Sequence, residues 1–153
     1  MKLFSFFTAL VFAQQDFASI MENNLPVVIF HGVNDDCKND QVANLKFLIE
    51  SIVEGGYAEC VDIGGEKAKS NSLLEALDKQ GEDYCKAIQS HPVFGNSDFN
   101  IIGLSQGGLI ARYIIQACDL STRPHNFLSV GGPQMGVQKQ PGCLEGFLCE
   151  ILT

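Results

Sequence analysis

Ser105 lies in the run Gly103-Leu104-Ser105-Gln106-Gly107, which fits the spacing G-x-S-x-G. A serine with small residues two positions away on each side can occupy a very sharp strand-to-helix corner. Crowding at such a corner leaves no room for flanking side chains, and in return the hydroxyl stands clear of the sheet. The chemistry this allows is nucleophilic attack on an acyl carbon, with an acyl-serine intermediate. The N–H of Gln106 would then face the oxygen that becomes negatively charged. A second donor is expected from the turn His31-Gly32-Val33, at the backbone N–H of Val33.

A serine nucleophile also needs a base to take its proton and a carboxylate to orient that base. With this type of elbow the chain order is Ser, then Asp or Glu, then His. The sequence has three histidines, His31, His91 and His125. His31 reads as a structural turn-former. His91 and His125 each precede a predicted strand, which puts them at the opposite edge of a parallel sheet, and both read as surface residues. Asp35 and Asp36 read as a solvated turn. The triad is therefore expected to be incomplete within these residues, and the chain to be the N-terminal half of a larger hydrolase or a truncated relative.

The elements around the serine follow from hydrophobic patterning. Val27-Val28-Ile29-Phe30 is a continuous apolar run after Pro26, the mark of a strand buried on both faces. From Asp40 to Val53, helical spacing puts Leu45, Leu48, Ile49, Ile52 and Val53 on one face, with Asn39 or Asp40 as cap. A second strand is expected over 57–63. One helix is expected over 70–90, with Leu73, Leu77, Tyr84 and Ile88 as its stripe and Gly81 a weak point. A third strand over 99–104, a helix over 106–118 and a fourth strand over 127–130 complete the pattern. Alternating strands and helices predict a parallel sheet with right-handed crossovers. Active sites of such sheets lie at the C-terminal strand ends, where Ser105 and the 31–33 turn both fall.

The 153 residues suffice for one domain with a core. A net charge of −8 argues against nucleic acid as a partner. Lys2, the apolar run from Leu3 to Phe12 and the small residues near Ala13 predict a secretory signal peptide over 1–13. No stretch of the mature chain is apolar for long enough to span a bilayer. Six cysteines in a secreted chain suggest disulfides. Cys-x-x-Cys and Cys/His spacings suited to zinc are absent from the sequence, so a metal is not expected.

Three stretches together resemble the palmitoyl-protein thioesterases of the lysosomal type. They are Val28-Ile29-Phe30-His31-Gly32 with Asp35 and Cys37, Gly103 to Gly108, and Ser129 to Val137 followed by Pro141-Gly142-Cys143. The resemblance runs from about Leu25 to the end. It implies an α/β-hydrolase fold, here a partial parallel sheet of about four strands with flanking helices. It implies hydrolysis of long-chain acyl thioesters on protein cysteines, with Ser105 as nucleophile, no cofactor, and a secretory, lysosomal or extracellular location. It also supports the pairings Cys85–Cys118 and Cys143–Cys149. The first joins the late part of one helix to the end of the next, and the second staples a short loop. Cys37 and Cys60 are left open. The alternatives are a lipase or esterase acting on oxygen esters, and an inert fragment that binds acyl chains or a partner.

Overall fold

The computed structural model describes residues 25–53 and 55–136. The expectations for the signal peptide at 1–13 and the Cys143–Cys149 pair lie outside the described residues.

Among the described residues four strands form one sheet: β1 (Val27–Phe30), β2 (Ala58–Cys60), β3 (Phe99–Leu104) and β4 (Pro124–Val130). All pairings are parallel, and the order is β2-β1-β3-β4. Between them lie α1 (Asp40–Ile52), α2 (Ala68–Leu74), α3 (Leu77–Ser90) and α4 (Gly107–Ala117), with a single 3-10 turn at Gly65–Lys67. A parallel sheet flanked by helices is the architecture of an α/β-hydrolase-like fold.

β1 is apolar throughout because every one of its residues is buried. On one face Val28, Phe30, Phe99 and Ile101 pack with Tyr84, Ile88, Ile110 and Ile114 of α3 and α4. On the other, Val27, Ile29 and Ile102 meet Val42, Ile49 and Val53, from α1 and its C-cap. The chain runs outward from β1 to β2, then back across to β3 and on to β4. When the handedness of crossovers is constant, reversing the direction of travel moves the helices to the opposite face. That is why, among the described residues, α1 lies on the face opposite α3 and α4.

Several boundaries differ from the sequence pattern. The 70–90 segment is two helices, broken at Glu75 and Ala76, whose ψ values of 141° and 140° are extended. The Gln80 side chain bridges the break, donating to the carbonyls of Ser72 at 3.4 Å and Glu75 at 2.7 Å. The break re-aims the helix, so Leu73 and Leu77 are exposed while Gln80, Gly81, Tyr84 and Ile88 are buried. On α1, Leu48 and Ile52 are likewise exposed, because one helix cannot turn so wide a stripe onto the strands beneath it. Asn39 caps α1 as expected, its Oδ1 accepting from the Gln41 N–H at 2.8 Å. β2 is shorter than its apolar pattern and β4 starts earlier, at Pro124, a position where a strand tolerates proline.

Candidate active site

Ser105 sits between the last residue of β3 and the first of α4 and is exposed. Its φ of 51° is left-handed, a conformation uncommon outside glycine. Its N–H donates to the Val130 carbonyl at 2.8 Å, which carries the β3–β4 ladder up to the corner itself. The flanking glycines answer a steric demand. A Cβ on Gly103 would lie 2.5 Å from the Gly107 carbonyl oxygen and the Gly108 Cα, and one on Gly107 would overlap the Phe30 carbonyl oxygen. Gln106, the N-cap of α4, makes no side-chain capping bond. The N–H groups of Gly108 and Leu109 donate back to the carbonyls of Ser105 and Gln106, at 3.0 and 2.9 Å, which fastens the helix start to the corner.

The turn after β1 packs directly against this corner. A Cβ on Gly32 would come within 3.3 Å of the Ser105 Cβ and 3.9 Å of its Oγ. Val33 follows Gly32 and is half-buried. Asn34 has φ 55°, and its N–H donates to the Ser72 Oγ at 2.8 Å.

His31, only 4% exposed, is embedded in a polar cluster. Its Nδ1 lies 2.8 Å from the Gly32 carbonyl oxygen, which can only accept, so Nδ1 carries the hydrogen. Its Nε2 lies 3.1 Å from the Tyr84 hydroxyl and 3.0 Å from Asp62 Oδ1. Asp62 is held in turn by the Cys37 N–H, at 3.2 and 3.1 Å from its two oxygens. Burial, and then the Asp62 charge, push the Tyr84 phenol well above its ordinary range, so it remains an O–H donor. The Tyr84 ring also meets Phe30 edge-on, with centroids 5.1 Å apart. Both ring nitrogens of His31 are thus engaged by groups other than Ser105, in keeping with a turn-forming role.

The other histidines are remote in different ways. Pro124 pairs with Phe99 and Val130 with Leu104, so His125 is exposed about five residues, or about 16 Å, down the strand from the level of Ser105. His91 departs from its surface reading. It is half-buried, stacks on Phe94 at 4.5 Å, accepts from the Val93 and Phe94 N–H groups, and lies 3.3 Å from Glu59. It closes the turn after α3, which an isolated His-Pro pair does not announce. Asp35 and Asp36 fasten their loop. Asp35 accepts from the Asn39 amide at 2.8 Å, and Asp36 pairs with Lys69 at 3.5 Å.

Two disulfides staple the described residues. Cys85–Cys118 joins α3 to the end of α4, with Cα atoms 5.7 Å apart, and Cys37–Cys60 joins the first loop to β2, at 5.5 Å. Donor atoms of Cys37, Cys60 and Asp62 lie within 4.8 Å of one another. Their sulfurs are bonded to each other, and metal binding requires free thiolates. Asp62, Ser72 and Tyr84 were not singled out from the sequence as site residues. Asp62 falls inside the strand expected over 57–63, and only the earlier end of β2, at Cys60, puts it past the strand at the active-site edge. Tyr84 was absorbed into the core stripe.

A parallel sheet whose third strand runs into an exposed, positive-φ serine between two sterically required glycines, followed at once by a helix, defines a chain of the α/β-hydrolase class. Comparison with known proteins narrows this class. Residues 26–153 match the family described as palmitoyl protein thioesterase, and the chain belongs to that family. It is 35% identical to palmitoyl-protein thioesterase 3 of Dictyostelium discoideum over 111 residues, which are 72% of this chain and 36% of that protein. It is 30% identical to palmitoyl-protein thioesterase 1 of Caenorhabditis elegans over 136 residues, 82% of this chain and 43% of that one. It is also 30% identical to a palmitoyl-protein thioesterase-dolichyl pyrophosphate phosphatase fusion of Schizosaccharomyces pombe, over 78% of this chain and 19% of the fusion. The chain therefore spans less than half the length of each of these relatives. Among the described residues, no helix is long and apolar enough to cross a membrane.

Proposed function

We propose that Ser105 is the nucleophile of a thioesterase that removes long-chain acyl groups from protein cysteines. The observation that carries this reading is the exposed serine at φ 51° with the Gly32 turn packed against it, in a chain of the thioesterase family. Ser105 Oγ attacks the thioester carbonyl and the cysteine thiolate leaves, which gives an acyl-serine that water then cleaves. The N–H groups of Val33 and Gln106 stabilise the oxyanion in both steps. The reaction calls for no cofactor. Two disulfides support a secretory, lysosomal or extracellular setting over a reducing one.

The base is the unfilled role. His31 is engaged elsewhere, His91 and His125 are far from the corner, and these are the three histidines of the sequence. An unactivated serine hydroxyl is a poor nucleophile. The 153-residue chain by itself is therefore expected to cleave an S-palmitoyl peptide no faster than its own Ser105→Ala variant. In a form that supplies the acid and the base, the thioester should be cleaved faster than the matching oxygen ester, and Ser105→Ala should abolish turnover. Preference for the oxygen ester would make the protein an esterase. Full activity in Ser105→Ala would remove the proposal. The engaged state of His31 also favours a second reading, an inert protein that binds acyl chains or a partner. Acyl-chain binding without Ser105-dependent turnover in every form would select it.

A further inference from the structure

We propose that His31 and Ser72 are positioning residues, which together hold the peptide between Gly32 and Val33 so that the Val33 N–H is presented at Ser105. The inference rests on the thioesterase reading for its purpose, but its geometry stands by itself.

In a trans peptide the carbonyl of one residue and the N–H of the next point in opposite directions, and no cis peptide occurs among the described residues. The Gly32 carbonyl is turned toward the buried ring of His31, 2.8 Å from Nδ1. The Val33 N–H of the same peptide unit is thereby turned the other way. A flip of this peptide would break the bond to Nδ1 and leave a ring N–H buried without an acceptor, at a cost set by its desolvation. Glycine at position 32, where a Cβ would crowd Ser105, also lets the peptide lie against the corner.

The ring can hold the carbonyl because it is itself gripped. With Nε2 bare, the Tyr84 hydroxyl donates to it. With Nε2 protonated, it donates to Asp62. Nδ1 keeps its hydrogen for Gly32 in both states. Asp62 is the charged group facing the ring, and the Cys37 N–H within the Cys37–Cys60 bridge fixes it. The far end of the turn is tied separately. Asn34 stands at φ 55°, and its N–H is bound by Ser72 Oγ, which spends its own hydrogen on the Lys69 carbonyl at 2.8 Å. Ser72 is buried, and the Gln80 side chain reaches its carbonyl from α3. The turn is held from behind at both ends, by residues of three different segments.

The test exploits the difference between the two ring nitrogens. Asparagine carries its amide near the place of Nδ1, and glutamine carries its amide near that of Nε2. In the 15N-labelled 153-residue chain, His31→Asn should keep a single Val33 amide resonance, displaced only by the loss of the ring current. His31→Gln should split it into two, one for each orientation of the freed peptide. Ser72→Ala should speed amide exchange at Asn34 about tenfold, the scale of one lost hydrogen bond, and Ser72→Thr should restore the wild-type rate. A single Val33 resonance with glutamine and a split one with asparagine would overturn the proposal, because the ring would then serve only Asp62 and Tyr84. So would a single Val33 resonance in both. If His31→Gln does not fold, the serine series decides, and unchanged exchange at Asn34 in Ser72→Ala overturns the clamp. Neither readout needs turnover. Ser105-independent turnover, or no turnover in a form that supplies the acid and the base, would sink the thioesterase reading and leave these results standing, and their failure would leave the reaction at Ser105 untouched.

Discussion

Ser105 is held in a backbone conformation that costs an L-residue about 1–2 kcal/mol relative to the right-handed region. The cost can be read by comparing two variants that both lack the hydroxyl. Ser105→Gly tolerates φ 51° and Ser105→Ala does not, so the glycine variant should be the more stable by about 1 kcal/mol in urea denaturation. Equal stabilities would mean that the corner is unstrained. Tyr84 gives a pH-dependent prediction at the same scale. Its phenol is raised in the folded state, so in the unfolded chain it ionises first, near its ordinary value of about 10. Below that pH both states keep the proton and the phenol adds no pH dependence. Above it the unfolded state loses the proton and the folded state does not, so stability falls, by about 1.4 kcal/mol per pH unit. Tyr84→Phe should remove this component of the slope between pH 10 and 11. The serine and its glycines were legible in the sequence because the steric rule that links them is local. The cluster of His31, Asp62 and Tyr84 was not, because its members are brought together only by the packing of α3 against β1 and the placing of β2 beside it.

At the scale of elements, the helix after the elbow and the one before it pack closely through Gly81 of α3. A Cβ there would lie 2.5 Å from the Tyr113 ring of α4. Helix propensity alone would make Gly81→Ala stabilising, by up to about 1 kcal/mol. The collision reverses the sign, and a net loss of about 1–3 kcal/mol is expected in thermal or urea unfolding. A gain in stability would show that α3 and α4 can part without cost. The sequence pattern marked Gly81 as a weak point in a helix, and packing gives it a structural reason. Periodicity found every strand and the helices that flank them, since apolar runs and helical stripes survive in any context. It missed the break at Glu75 and Ala76, which carries neither glycine nor proline. The bridging bonds of Gln80 that stabilise the break are side-chain contacts with no sequence signature.

For the whole molecule, the parallel sheet brings the loop after β1, the end of β2 and the elbow after β3 to one edge, and the disulfides tie that arrangement together. Cys85–Cys118 closes a separation of 33 residues between the helices that flank the elbow. Replacing both cysteines by serine should cost about 2–4 kcal/mol of stability under oxidising conditions. A loss near zero would mean that the packing of α3 on α4 suffices without the bond. The central claim concerns Ser105 and its two N–H donors, and a long-chain alkyl boronic acid tests it in alkaline buffer, where solvent takes the serine proton in place of a protein base. Boron that accepts the serine oxygen, with the hydroxyl proton passing to the buffer, becomes a tetrahedral anion, the shape and charge that the Val33 and Gln106 N–H groups are proposed to stabilise. The measurement is the 11B NMR spectrum of the acid mixed with the chain. The account predicts a tetrahedral signal that vanishes in Ser105→Ala, and boron that stays trigonal with the wild type, or a tetrahedral signal that survives Ser105→Ala, would contradict it.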